Sequence, residues 1–230
     1  MPVTRRTFLA VAGASAAGAV ALGAGSAAAM AAEGPSARVS PAEALERLKR
    51  GNTRAANGRT VQRNYSPLAQ TPAKGQEPFA AVVSCADSRV VPDTVFDMVP
   101  GNLFVVRNAG NSIEEVGLGS LEYGVAVLGV SLIVVLGHTR CGAVIATEDT
   151  IKTGEMPPPS IDSVVQAIEP ALLPLPAGHS IDDAIAANAT YQARQVQALS
   201  PLIAKETAAG TVGIVSGLYG LASGRVTWLA

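Results

Sequence analysis

The chain has 230 residues, with 17 Lys and Arg against 18 Asp and Glu and a formal net charge of −1. No basic block follows the N-terminal arginines, which argues against nucleic acid as a partner. Aromatic residues make up only 4% of the sequence, so the core has to be aliphatic and alanine-rich.

The first stretch, "TRRTFLAVAGASAAGAVALGAGSAAAMAAEG", pairs Arg5 with Arg6, then runs through Phe8 and Leu9 into weakly hydrophobic Ala, Gly and Val. It resembles a twin-arginine export signal, and the small residues at Ala27-Ala28-Ala29 or Ala29-Met30-Ala31 suit a signal peptidase. The run lacks the apolar strength of a stable span, and nothing after it reads as a stop-transfer segment. Residues 1–31 are therefore expected to be removed. Residues 32–230 then form one exported domain, periplasmic or extracellular, without stable membrane insertion.

"SPAEALERLKRGNTRAANGR" predicts a helix with Ser40 as N-cap, Pro41 as first helical residue and Glu43 as reciprocal capping partner. "FAAVVSCADSR" predicts a short buried strand that enters a loop at Cys85, and "NLFVVRNAGN" a second strand ending in a Gly/Asn turn. "SIEEVGLGSLEYGVAVLGV" predicts a helix capped by Ser112, with Glu115 at the capping-box position and small residues for close packing. "SLIVVLGH" predicts a third strand, and "CGAVIATEDTIK" a helix after it. The prolines at 157–159, 170, 174 and 176 predict an irregular, extended connection. The stretch from Ser180 to Gly210 predicts mostly helix, capped by Ser180 with Asp183. "TVGIVSGLYGLASGRVTWL" predicts two closing strands joined by a turn at Ser223-Gly224. Apolar strands alternating with helices imply an α/β fold, a mainly parallel central sheet flanked by helices. Chemistry in such folds sits beyond the carboxyl ends of the strands.

Cys85 follows one strand end and His138 another, with Cys141 three residues on in "GHTRCGA". These are both cysteines of the chain and one of its two histidines. A Cys85–Cys141 disulfide in a non-catalytic exported protein is one reading. The twin-arginine route, which carries proteins that are already folded, weakens it. Two thiolates and an imidazole are otherwise a donor set that Zn2+ favours, and three protein ligands with one open position is the pattern of a catalytic zinc. Asp87, two residues past Cys85 in "CADSR", is the alternative fourth ligand, and Arg89 beside it can hold its carboxylate by a bidentate contact. Cys141, at the start of a helix, is expected to have its thiolate favoured by the helix N-terminus. His179 reads as a loop residue at a helix start.

"CADSR" followed by "GHTRCGA" resembles the paired motifs of the β-class carbonic anhydrases, C-x-D-x-R and H-x-x-C. "LKRGNTR", "GNLFVVRNAGN", "SLEYGVAVLGV" and "VGIVSGLYGLASGRV" extend the resemblance over nearly all of the chain after the signal. It implies zinc-dependent hydration of CO2 to bicarbonate by zinc-bound hydroxide, with Cys85, His138 and Cys141 as ligands. It also implies that Asp87 and Arg89 gate the fourth zinc position, Asp87 either ligating the metal or pairing with Arg89. Gln76, Phe104 and Tyr123 fall where plant-type members carry pocket residues, the Phe and Tyr entering from a dimer partner; their plainer reading is loop for Gln76 and core for the other two. Val82 stands in the region where a subset of the family has a tryptophan that helps form an inhibitory bicarbonate site, and it can keep the pocket apolar. Relatives on this fold also hydrolyse carbonyl sulfide or carbon disulfide, which the motifs do not separate from CO2 hydration. Tyr219-Gly220 departs from the family's usual Tyr-Asp, which bears on loop stability.

Overall fold

The computed structural model describes residues 39–61 and 75–229, all within one compact unit. The export signal and its cleavage sites lie outside the described residues. Helix α1 spans Pro41–Ala56, and the Ser40 hydroxyl accepts from the Glu43 N–H at 3.2 Å, as a capping residue should. The Glu43 carboxylate instead accepts from Arg47 and Arg50, each at 3.1 Å. One side of α1 buries Ala44, Leu48, Gly51 and Asn52. At Gly51 a Cβ atom would stand 1.8 Å from the Phe96 carbonyl oxygen, so only glycine lets the helix lie this close.

Five strands form the sheet: β1 (Ala80–Cys85), β2 (Leu103–Asn108), β3 (Leu132–His138), β4 (Gly213–Tyr219) and β5 (Val226–Leu229). Their spatial order is β2-β1-β3-β4-β5, with β5 antiparallel to β4 and every other pairing parallel. β1 and β3 are buried along their whole lengths, which is why both read as unbroken apolar runs. The chain goes from β1 outward to β2, then crosses back to lay β3 on the other side of β1. That reversal opens a crevice beyond the carboxyl ends of β1 and β3. The sequence places Cys85 at one lip and His138 at the other.

Alternate residues of the strands feed opposite faces. Ala80, Val82, Leu132, Val134 and Leu136 pack with Ala44 and Leu48 of α1 and with Val95 and Phe96, at the end of the short helix α2 (Pro92–Val95). On the other face, Ala81, Val83, Ile133 and Val135 meet Leu121 and Val125 of α3 (Glu115–Ala126), Val196 of α6 (Ile181–Leu199) and Ile203 of α7 (Pro201–Ala208). A third apolar group joins both cysteines to Val144 of α4 (Gly142–Thr153), Ile168 and Leu172 of α5 (Pro159–Leu172), and Ala184 and Ile185 of α6.

Two further expectations are overturned. The proline-rich connection is largely helix α5, with Pro159 in its first turn, where the N–H has no helical partner to lose, and Pro170 inside it, where one backbone hydrogen bond is given up. Val165, Ile168 and Leu172 recur at helical spacing and bury against the core, and that burial outweighs the prolines. Ser112 is not a cap: α3 begins at Glu115 behind Glu114, without a side-chain cap, and the Ser112 hydroxyl is buried without a partner. The segment before α3 is held from elsewhere. Asn188 of α6 donates to the Gly110 carbonyl at 2.9 Å, and Gln192 accepts from the Ile113 N–H at 2.9 Å. The expected Ser180–Asp183 capping box is present, and the closing strands pair through the turn containing Gly224.

Candidate metal centre

The ligand atoms of Cys85, His138 and Cys141 lie within 4.8 Å of one another, and all three residues are buried. Both cysteines are free thiols, so the pair is not a disulfide. Cys85 ends β1 and His138 ends β3, and neighbouring parallel strands bring their ends together without help from any loop. Cys141 arrives by a tight turn in which Arg140 takes φ +60°, a backbone conformation uncommon outside glycine. The turn is tied to the end of β4: the Thr139 N–H donates to the Tyr219 carbonyl at 2.9 Å, and the Thr139 hydroxyl accepts from the Leu221 N–H at 3.1 Å.

The His138 ring shows which atom is free to bind. Nδ1 lies 3.0 Å from the Thr139 carbonyl oxygen, which only accepts, so Nδ1 carries the hydrogen. Nε2 therefore keeps its lone pair, and it is buried with no hydrogen-bond partner. An orphaned imidazole nitrogen facing two thiols fits a zinc ion.

The thiols are unequal. A hydrogen bond from Cys141 draws the Cys85 thiol well down against the opposing effect of burial, and the N–H groups of Gly110 and Asp87 add to it. Gly110 can turn its N–H to the sulfur because it sits at φ +73°, where a Cβ atom would strike Ile168 at 2.5 Å. Cys141 is pushed far up, first by that same contact with Cys85 and then by burial. The helix N-terminus does act as expected, since the N–H groups of Val144 and Ala143 favour the Cys141 thiolate, but the direct contact with Cys85 and burial outweigh them. Between the two thiols, Cys85 ionises first. A divalent cation between the sulfurs is what would stabilise both as thiolates.

Asp87 stands at the mouth of this site, with Oδ2 4.0 Å from His138 Nε2. Its carboxylate is held by Arg89 through two parallel contacts, Nε to Oδ1 at 2.9 Å and Nη2 to Oδ2 at 2.7 Å, plus the Arg89 backbone N–H at 2.9 Å. The Arg89 hydrogen bonds hold the carboxyl well below the usual carboxylate range, with burial pulling the other way.

Other residues singled out from sequence lie farther from this cluster. Val82 is wholly buried in the group beneath α1, on the other face of β1 from Cys85. Gln76 is exposed ahead of β1. Phe104 on β2 and Tyr123 on α3 touch each other, ring centroids 6.3 Å apart, with Phe104 half-buried and Tyr123 49% exposed. His179 binds Glu148 of α4 rather than the thiols. One residue at the site escaped notice in the sequence. Arg107 of β2 donates to the carbonyls of Cys85 at 3.1 Å and Asp87 at 2.7 Å. Its signal was a charged residue closing an otherwise apolar strand, in "VVRN".

The carbonic anhydrase family model matches residues 80–226, which hold every residue of this cluster. A carbonic anhydrase of Mycolicibacterium smegmatis is 41% identical over 189 residues, covering 81% of this chain and 92% of that protein. The chain belongs to the β-carbonic anhydrase family. The structure of a Coccomyxa β-carbonic anhydrase in complex with acetazolamide is 26% identical to this one, with a TM-score of 0.58 over 73% of this chain and 87% of that one. The β-carbonic anhydrase CcaA shares the fold at 24% identity, with a TM-score of 0.63 over 82% and 89% of the two chains. In this β-carbonic anhydrase the parallel sheet is thus the family's own, and the switch point between β1 and β3 carries the metal ligands.

Proposed function

We propose that the protein interconverts CO2 and bicarbonate at a zinc ion held by Cys85, His138 and Cys141. The observation that carries this is the orphaned His138 Nε2, buried between two free thiols with the Asp87 carboxylate 4.0 Å away. Zinc bound there supplies a water acidified enough to yield hydroxide near neutral pH, which CO2, a weak electrophile, requires. The chain's own residues prepare that chemistry. Backbone N–H groups on each sulfur spread the thiolate charge, and the Thr139 carbonyl fixes the His138 tautomer. Asp87, held by Arg89, is an acceptor only, so it orients a nucleophile that must point its hydrogen away from the reacting carbon. Freed from Arg89, the same carboxylate would reach the metal and block it. Asp87 and Arg89 together are therefore read as the gate.

The reading extends to a dimer in which Phe104 and Tyr123 complete the partner's pocket. Its support is a stripe of exposed side chains along α3 and its C-cap: Val116 is 82%, Tyr123 49% and Val127 62% exposed. Such a stripe calls for cover. Export by the twin-arginine route rests on the pattern of residues 1–31. Among the described residues, no helix is long and apolar enough to cross a membrane.

Zinc content per chain, with stopped-flow CO2 hydration set beside sulfide release from carbonyl sulfide, tests the activity. The expected result is one zinc per chain and fast CO2 hydration, both lost on chelation. Sulfide release without CO2 hydration would overturn the choice of substrate, and a zinc-free active protein would overturn the site.

A further inference from the structure

We propose that Arg107 is a positioning residue that clamps the main chain of Cys85 and Asp87, so that only the Asp87 side chain moves when the gate switches. The inference rests on the reading of Asp87 as gate.

The ladder between β1 and β2 ends with Cys85 opposite Asn108, and one further bond, Ala86 N–H to the Asn108 carbonyl at 2.8 Å, closes it. Past that point the chain turns away and has no strand beside it. Arg107, paired with Ser84 in register, reaches forward over the end of the strand. Its Nε donates to the Cys85 carbonyl at 3.1 Å and its Nη2 to the Asp87 carbonyl at 2.7 Å. One planar guanidinium thus spans a metal ligand and the gating residue. The Asp87 carbonyl also accepts from the Val90 N–H at 2.9 Å, and the Asp87 N–H points at the Cys85 sulfur. Every polar backbone group of Asp87 is therefore engaged.

The two arginines divide the work. Arg89 holds the Asp87 carboxylate from the solvent side and is 55% exposed, so its grip can be released. Arg107 binds only carbonyl oxygens, which do not change between the two positions of the carboxylate. Without Arg107 the Cys85–Asp87 segment is free to shift as a whole, and the carboxylate can approach the metal by backbone movement while Arg89 stays in place. A shift of the order of 1 Å at such a site is enough to matter. Lysine cannot replace the fork, because a single ammonium on a flexible stem does not hold two carbonyls in fixed geometry.

The test uses Arg107→Gln and Arg107→Lys alone and in an Asp87→Ala background. Measurements are kcat and KM for CO2 hydration, zinc content, and the visible absorption spectrum of protein loaded with Co2+ in place of zinc. All three metal ligands remain in Arg107→Gln, so zinc stays at one per chain while kcat falls about tenfold or more, in the range for partners that orient a metal site. KM changes little, and the cobalt bands move toward those of a site with an added carboxylate ligand. In the Asp87→Ala background the same substitution has little further effect on kcat and leaves the cobalt spectrum alone, because the residue it acts through is gone. Arg107→Lys recovers only part of the loss, and it carries the test if the Gln variant does not fold. An equal loss with and without Asp87 would make Arg107 merely structural and overturn the proposal, as would parental kcat and cobalt bands in Arg107→Gln. If the parent protein itself hydrates no CO2, the proposed activity falls, while the cobalt spectra still decide for or against the clamp.

Discussion

Two carboxylates in this protein are each paired with basic side chains, and their surroundings give them opposite characters. Asp87 lies at the edge of the crevice, held by a half-exposed arginine and within reach of the metal ligands. Glu148, two turns into α4, is only 7% exposed and accepts from both Lys152 and His179. His179 also directs Nδ1 at the Pro176 carbonyl, 2.9 Å away. Both ring nitrogens face acceptors, so the geometry asks for an imidazolium, and the contact with Glu148 raises the His179 pKa accordingly. Burial works against the Glu148 charge, but Lys152 and His179 prevail and lower its pKa. An exposed pair at a rim can come apart in use. An enclosed one anchors the loop before α6 to the helix that begins just after Cys141.

If that contrast is right, substitutions at the two carboxylates separate activity from stability. The largest effect is expected at the open pair. Arg89→Ala removes the alternative partner of Asp87, so CO2 hydration should fall by about 10²-fold at every pH, with zinc retained and stability changed by no more than about 0.5 kcal/mol. Asp87→Ala should also retain zinc and lose rate through lost orientation of the nucleophile. A parental rate and pH profile in Arg89→Ala would show that the pair is not a gate.

At the enclosed pair the order reverses. Glu148→Gln leaves an amide between two cations, and unfolding experiments should show a loss of about 1–3 kcal/mol, roughly 2–4 °C of melting temperature per kcal/mol in a chain of this size. The rate at low temperature should stay close to the parent's. Stability kept and activity lost would place Glu148 in the reaction and erase the distinction.

The smallest effect is a pH dependence. His179 is raised in the folded state, so its contribution is fully present below the ordinary histidine value of about 6.5 and fades as pH climbs through the raised value. The melting temperature of the parent should decline over that window relative to His179→Asn. Identical curves would remove His179 from the account.

How legible each region was in the sequence follows from how local its determinants are. The metal ligands and the Asp87–Arg89 pair lie in two short motifs at the ends of apolar strands, so residue types and spacing were enough to find them. The strands were legible for the same reason: β1 and β3, buried on both faces, leave unbroken apolar runs. Helix α5 was not, because prolines argue locally for a break while the burial of Val165, Ile168 and Leu172 is a tertiary fact. Ser112 looked like a cap because the competing hold of Asn188 and Gln192 comes from far along the chain. Arg107 left only the trace of a charge at the end of an apolar strand, and its contacts, like that of Glu148 with His179, join elements that only the fold brings together.

The position of the ligands at the switch point has a consequence for assembly. His138 and Cys141 are neighbours in sequence, and any loose chain can present them together. Cys85 joins them only once β1 and β3 lie side by side, and that pairing requires the chain to have returned from β2 across β1 first. Closing so long a segment is among the slower events in forming a parallel sheet. The ion is therefore gripped in full only by a sheet already built, and from then on its binding energy adds to the stability of that state alone. Loading marks the molecules that have finished folding, and withdrawing the metal takes that added stability away.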